Sequence, residues 1–293
     1  MAAPEKGAGE PPVTLAYSVD SDDLFMFYAL LEGKIETGGI RFEHRRHDTL
    51  ALNELAAAAK IDITAVSIHA YAEIARDYLL LPHGGSIGVN YGPLVLSPQP
   101  LTPAELAGKR ISVPGFSTTA YLVFKLICPD FEPVVIPITP FNRTFEALGN
   151  GEVEAAVVIH EGNLTYRERG LHKVLDLGEW WWQETGLPLP LGGNVIRKGL
   201  GRERIARISE LLRRSIAYAL EHRDEVIDYL LARESRDDPA LKERALLDRY
   251  LSLYANRDTL EYPAAARQGI DELFRRGLAA GIIKQPVTVE FAP

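Results

Sequence analysis

The chain has 293 residues, 46% of them hydrophobic and 25% charged, so it is long enough to form two lobes with sizeable cores. A net charge of −8 without a lysine/arginine cluster excludes nucleic acid as an expected partner. The single cysteine, Cys128, excludes an intrachain disulfide, and no cysteine/histidine spacing typical of a structural zinc site is present.

The N-terminal segment 1–12 has neither the basic nor the apolar region of a secretory signal and is predicted to form a disordered tail. Charged residues interrupt even the apolar segment 61–75, so no membrane span is predicted. We therefore expect a cytoplasmic protein that does not bind membranes.

The first part of the chain alternates between short apolar runs and helical segments. Strands are predicted at 13–17, 40–44 and 61–66, and helices at 24–32, 49–59 and 70–76. Asp22 and Asp23 lie at the start of the first helix, where acidic side chains interact favourably with the helix dipole. This β-α-β-α-β order predicts a parallel sheet.

A second α/β unit follows along the chain. It begins at Leu106, after a further predicted strand at 94–96. Its predicted strands are 111–113, 134–138, 153–159 and 171–177, and its predicted helices are 119–127 and 141–148. The three tryptophans at 180–182 are consistent with an aromatic wall of a binding site, but a core patch is the favoured interpretation. Residues 192–197 lead back to the first unit, and the chain from Arg202 onwards is helical.

This order of elements predicts an α/β fold with two lobes, a mostly parallel sheet in each lobe, and a ligand cleft between them. Residues 13–97 and 202–293 are predicted to form the first lobe, because the C-terminal helices have no strands of their own. Residues 98–201 are predicted to form the second lobe.

The segment 151–161 contains an apolar run that leads directly into His160 and Glu161. Such a run predicts a buried parallel strand, and ligands bind beyond the carboxyl ends of these strands. His160 is therefore a candidate acid or base near neutral pH, although a structural histidine fits the pattern equally well. Glu161 reaches the same side only if the chain turns at His160.

Hydroxyl side chains provide a second candidate site. Ser117, Thr118 and Thr119 precede a predicted helix, whose free N–H groups could bind a carboxylate or phosphate; simple N-capping is the commoner alternative. Ser67 follows strand 61–66 and is a candidate ligand contact.

The glycines in 84–92 lead into a strand rather than a helix, so they do not form a dinucleotide-binding motif and no nucleotide cofactor is predicted.

Together these segments resemble the 1,4-dihydroxy-6-naphthoate synthases of the futalosine route to menaquinone, which have the two-lobed fold of type II periplasmic binding proteins. The resemblance extends from about Thr14 to about Gly281. It is strongest at 159–161, 164–166, 174–181 and 184–192. The last of these segments is long and unusual, which argues against a chance match.

The resemblance implies a carbon–carbon lyase that needs neither cofactor nor metal and acts on a small-molecule carboxylate. The implied reaction opens cyclic de-hypoxanthine futalosine and eliminates a three-carbon fragment, with His160 as the catalytic base. Family members are taken to line their cleft with residues matching Asn53, Ser67 and Thr119. The complete set of candidate substrate-binding residues is Ser18, Asp22, Asn53, Ser67, Ser117, Thr118, Thr119 and Glu161.

One segment departs from the family pattern. The family usually has Ser-Pro-Cys-Pro-Asn-Asp-Thr-Phe after its first strand, whereas residues 18–25 read Ser-Val-Asp-Ser-Asp-Asp-Leu-Phe. Asp22 thus replaces an amide that donates hydrogen bonds with a carboxylate that, when ionised, only accepts them. Two alternatives follow: a family member acting on a different aromatic carboxylate, or a non-catalytic solute-binding protein of the same fold.

Overall fold

A computed structural model describes residues 10–159, 162–233 and 242–293. The strands are β1 (Val13–Ser18), β2 (Phe42–His47), β3 (Ile63–Ser67), β4 (Tyr78–Leu80), β5 (Ser86–Gly88), β6 (Leu94–Ser97), β7 (Arg110–Val113), β8 (Glu132–Val135), β9 (Ala155–Val158), β10 (His172–Asp176) and β11 (Leu189–Arg197). The helices are α1 (Ser21–Leu31), α2 (Thr49–Ala57), α3 (Ile68–Ile74), α4 (Thr119–Ile127), α5 (Arg143–Gly149), α6 (Gly162–Thr165), α7 (Leu177–Thr185), α8 (Arg202–Glu221), α9 (Arg223–Arg233), α10 (Arg244–Tyr254), α11 (Arg257–Leu260) and α12 (Ala264–Ala279).

The first sheet has the strand order β2-β1-β3-β11-β4, with β5 also paired to β11. Strand β1 runs parallel to β2 and β3, whereas β11 runs antiparallel to β3, β4 and β5. Leu15 and Ile63 pair in register and lie in one hydrophobic core with residues of α1 and α8. The alternation of side chains along each strand directs these residues to the same face of the sheet.

The second sheet has the order β10-β6-β9-β7-β8. Strand β7 is parallel to β8 and β9, and β6 is antiparallel to β9 and β10. The predicted α/β class with two sheets is confirmed, but each sheet is mixed rather than mostly parallel. The antiparallel pairs come from β6 and β11, the strands that follow each passage of the chain from one sheet to the other.

Strand pairing also shows to which sheet β6 and β11 belong, the two strands that follow the passages of the chain between the sheets. Strand β6 lies in the second sheet, although its residues fall within the predicted first lobe, 13–97. Strand β11 lies in the first sheet, although it falls within the predicted second lobe, 98–201. Judged by sheet membership, the chain passes from the first sheet to the second before Leu94 and returns to the first sheet before Leu189. Each passage comes earlier in the chain than the predicted lobe boundary, which was after residue 97 and after residue 201, respectively.

Several local predictions agree with the structure. Helix α4 has the predicted bounds, and β9 is fully buried within the predicted strand 153–159 and parallel to β7. Trp181 is completely buried, and its Nε1–H donates a hydrogen bond to the Pro188 carbonyl at 3.2 Å. The core interpretation is thus confirmed for Trp181, whereas Trp182 is 36% exposed.

The C-terminal helices pack on the first sheet and its helices. Helices α8, α9 and α10 contact α1, and α12 contacts β11. Of the predicted tail 1–12, residues 1–9 lie outside the described residues, and Arg204 on α8 donates a hydrogen bond to the Pro11 carbonyl. Among the helices described, none is long and apolar enough to cross a membrane.

Candidate active site

A cavity of about 110 Å³ lies at the carboxyl ends of β1 and β3. Ser18 and Ser67, the last residues of these strands, form part of its wall. Ile159, which follows β9 of the second sheet, also lines the cavity, as do Tyr250 and Tyr254 of α10. The position agrees with the general rule that open α/β sheets bind ligands beyond the carboxyl ends of their strands.

The turn between β1 and α1 brings three buried carboxylates, those of Asp20, Asp22 and Asp23, to the cavity wall. Asp23 accepts a hydrogen bond from the Ser18 backbone N–H at 2.5 Å, and Asp20 accepts one from the Ser18 hydroxyl at 2.8 Å. The Tyr250 hydroxyl donates to Asp22 at 3.1 Å. Since buried carboxylates need hydrogen-bond donors, these bonds hold the turn in place. Two predicted site residues, Ser18 and Asp22, therefore line the cavity.

A short hydrogen-bonded chain connects Ser67 to Ser117 through the side chain of Asn53. The Ser67 N–H donates to Asn53 Oδ1 at 3.0 Å, and Asn53 Nδ2 donates to Ser117 Oγ at 3.1 Å and to Ser67 Oγ at 3.4 Å. Asn53 is buried on α2. The structure thus brings these three predicted residues together, and of the three it is Ser67 that lines the cavity.

The two threonines at the start of α4 use their hydroxyls within the protein. Thr118 is the N-cap: its Oγ1 accepts from the Tyr121 N–H at 3.2 Å and donates to the Gly115 carbonyl at 2.7 Å. Thr119 Oγ1 accepts from the His69 N–H at 3.1 Å and donates to the Leu191 carbonyl at 2.7 Å. The capping interpretation is confirmed for Thr118. Carboxylate binding by this helix start remains a prediction.

His160 and Glu161, the predicted base and its neighbour, lie outside the described residues. Ile159, which precedes them, and Asn163, two residues after Glu161, both line the cavity. Asn163 Nδ2 also donates to the Gly92 carbonyl at 3.1 Å. The described chain therefore reaches the cavity wall on each side of the predicted base.

The sequence did not identify Tyr250, Tyr254 or Asn163 as site residues. The two tyrosines occur four residues apart in an apolar helical stripe, a spacing that predicts one face of a helix but not a position at a cavity. Burial raises the pKa of the Tyr254 hydroxyl, which therefore stays protonated at neutral pH and can donate a hydrogen bond.

The cavity wall combines polar and apolar surfaces. Its hydroxyl and carboxylate groups can bind the polar parts of a ligand, and Met26, Leu52, Val66 and Leu191 provide apolar contact. This combination suits a small ligand with both an apolar ring and polar substituents. Within the described residues, no three histidine, cysteine, aspartate or glutamate side chains are placed to hold a metal ion together.

Comparison with known proteins identifies related sequences over almost the whole chain. A family model described as menaquinone biosynthesis matches residues 13–279. The 1,4-dihydroxy-6-naphthoate synthase of Thermus thermophilus is 36% identical over 270 residues, which cover 92% of this chain and 94% of the relative. The corresponding enzyme of Streptomyces coelicolor is 33% identical over 272 residues, with the same coverage of 92% and 94%.

Solved structures show the same architecture. A crystal structure of a protein from Archaeoglobus fulgidus has 40% sequence identity and a TM-score of 0.84, covering 93% of this chain and 98% of that one. An alkanesulfonate-binding protein from Xanthomonas axonopodis pv. citri has 16% identity and a TM-score of 0.70, covering 97% and 98%. This second likeness concerns the fold alone, which is that of a periplasmic binding protein.

Proposed function

The chain belongs to the menaquinone biosynthesis family, and on this premise we propose that it is a 1,4-dihydroxy-6-naphthoate synthase. The proposed reaction converts cyclic de-hypoxanthine futalosine to 1,4-dihydroxy-6-naphthoate by carbon–carbon bond cleavage, without a cofactor. The observation that carries this proposal is the similarity to two such synthases over 92% of the chain. A cytoplasmic location is part of the same proposal.

His160 is proposed as the base that removes a proton from the substrate. A neutral imidazole accepts a proton near neutral pH, which is the property that this step requires. The support is positional: Ile159 and Asn163, on either side of His160, line the cavity.

The Ser67 hydroxyl, which lines the cavity, would orient the substrate. The apolar contacts would exclude water during the elimination, and closure of the two lobes would exclude it further.

The proposal predicts that His160→Ala lowers kcat by about a hundredfold or more, because a positioned general base typically contributes about 10²–10⁴ to the rate. The purified protein is incubated with cyclic de-hypoxanthine futalosine, and the naphthoate product is quantified by mass spectrometry. His172→Ala is the matched control, since His172 is exposed on β10 and is expected to be dispensable. Full activity of His160→Ala would reject the role assigned to His160.

The acidic turn favours a second candidate, a family member that acts on a different aromatic carboxylate. Asp20, Asp22 and Asp23 all line the cavity, and ionised carboxylates repel an anionic substrate at close range. Turnover of cyclic de-hypoxanthine futalosine by the wild-type protein would exclude this candidate. Tight binding of another aromatic carboxylate, without turnover of the futalosine derivative, would favour it or a purely solute-binding role.

A further inference from the structure

Gly192 of β11 lies between two serines on the neighbouring strands. It is paired with Ser67, the last residue of β3, and on its other side with Ser86, the first residue of β5. Directly paired residues point to the same face of a sheet, so the two serine side chains project from one face with Gly192 between them. All three residues line the cavity. This part of the cavity wall therefore has a hydroxyl group on each side of a position without a side chain.

The space above Gly192 is open to the cavity. A Cβ atom added there would have one close neighbour among the described residues outside its own chain neighbours, the Val66 carbonyl oxygen at 3.3 Å. A Cβ atom at Gly193 would instead lie 2.5 Å from the Tyr262 hydroxyl oxygen, in the core behind the sheet. Successive residues of a strand face opposite sides, so the open side is that of Gly192.

The backbone conformation does not explain this glycine. The φ angle of Gly192 lies outside the left-handed region that favours glycine, so other residues could adopt the same conformation. A β-bulge next to it, in which Leu191 is the additional residue of β11 opposite β5, turns Leu191 to the cavity as well. Gly192 thus leaves a flat surface beside an apolar side chain.

The Ser86 hydroxyl is available to a ligand. Ser86 is half-buried, and its hydroxyl makes no hydrogen bond within the part of the chain that the structure describes. Strand β11 separates β5 from β3, so Ser86 lies about 10 Å across the sheet from Ser67. The three carboxylates of the acidic turn follow β1, on the far side of β3. Ser86 therefore lies at the end of this wall that is remote from those charges.

We propose that Ser86 is a further substrate-binding residue and that Gly192 is the surface on which the substrate ring lies. A flat ring can approach a strand closely where no side chain projects. The Ser86 O–H then donates a hydrogen bond to an oxygen substituent at the edge of that ring. A ring without this oxygen would leave the hydroxyl unpaired, so the position contributes to specificity. This inference rests on the proposed function, because the substrate is the one assigned there.

The first test removes the hydroxyl group. We expect Ser86→Ala to lower kcat/KM about threefold to tenfold, mainly through a higher KM, because one neutral hydrogen bond is lost. The Tm should stay unchanged, since the hydroxyl has no partner within the described chain. Ser112→Ala is the matched control: Ser112 is a buried serine of β7, its Oγ also lacks a partner among the described residues, and it does not line the cavity. An unchanged kcat/KM in Ser86→Ala would overturn the inference.

The second test fills the space above the strand. Gly192→Ala should raise KM about tenfold or more, because the added methyl group occupies the position of the ring. The Tm should stay close to that of the wild type, since alanine can adopt this backbone conformation. Gly149→Ala is the matched control: a Cβ atom at Gly149, at the end of α5, has no described neighbour within 4 Å, and its KM should not change. A lower Tm of Gly192→Ala with an unchanged KM would show that this glycine serves the fold, and would overturn the inference.

Failure of this inference can be distinguished from failure of the proposed function. If the wild-type protein does not convert cyclic de-hypoxanthine futalosine, the proposed function is wrong and this inference is rejected with it. If the wild-type protein is active and either Ser86→Ala or Gly192→Ala has the same kcat/KM, the inference alone is rejected.

Discussion

At the scale of single residues, burial keeps His83 neutral. Its side chain is 1% exposed, with Nε2 at 3.2 Å from the Ser209 hydroxyl, and desolvation lowers its pKa from 6.5 to about 4. An unfolded histidine becomes protonated near pH 6.5, whereas folded His83 stays neutral to about pH 4. The unfolded state therefore binds more protons in this window, and stability decreases as the pH falls through it.

We predict that His83 contributes a loss of about 2 kcal/mol in the free energy of unfolding between pH 7 and pH 4.5. His83→Gln lacks a titrating group, so its stability should decrease less over the same range. Urea unfolding of both proteins at the two pH values measures this difference. Parallel losses in the two proteins would show that His83 titrates normally in the folded state.

At the scale of elements, helix α7 begins with a capping carboxylate in a buried environment. Asp176 Oδ1 accepts hydrogen bonds from the N–H groups of Gly178 and Glu179 at 2.8 and 3.0 Å. Burial nevertheless raises the pKa of Asp176 from 3.8 to about 6. The folded state thus binds more protons than the unfolded state between these values, and the stability decreases as the pH rises from about 4 to 6.

Asp176→Asn should increase stability at pH 7.5 by about 2 kcal/mol, because asparagine still accepts the capping hydrogen bonds but carries no charge. The advantage should decrease as the pH falls from 6 to 4, where the wild-type carboxyl group becomes neutral. Thermal unfolding at pH 7.5 and pH 4 measures both effects. A variant less stable than the wild type at pH 7.5 would contradict this account.

At the scale of the whole molecule, the Thr119 hydroxyl joins three separate elements. It links the start of α4 to the backbone of His69 on α3 and to the carbonyl of Leu191 on β11. Helix α4 follows β7 of the second sheet, and β11 belongs to the first sheet. This buried hydroxyl therefore helps to hold helix α4, which follows the second sheet, against α3 and strand β11 of the first sheet.

Thr119→Val should lower the free energy of unfolding by about 2–3 kcal/mol, because it leaves the buried His69 N–H and the partly buried Leu191 carbonyl without this partner. Thr119→Ser is the matched control: it keeps the hydroxyl and should cost less than about 1 kcal/mol. Urea unfolding of both variants gives the comparison. Equal stability of the valine and serine variants would show that these two hydrogen bonds contribute little.

Part of the site was predictable because its signals are local. The bounds of α4 and the N-cap at Thr118 depend on neighbouring residues, and Ser18, Asp22 and Ser67 reach the cavity because they lie at strand ends or just beyond them. Tyr250 and Asn163 could not be placed, since their positions depend on how distant helices pack. The directions of β6 and β11 depend in the same way on strand partners far along the chain.

The sequence by itself determined the α/β class, the buried strands and the family resemblance, because these follow from local periodicity and short motifs. Only the tertiary structure decided which side chains share the cavity. Tyr250 shows the reason: it lines the cavity together with Asp22, and its hydroxyl donates a hydrogen bond to that carboxylate, 228 positions earlier in the chain. Contacts between residues so distant in sequence form when the sheet assembles, and no local pattern encodes them.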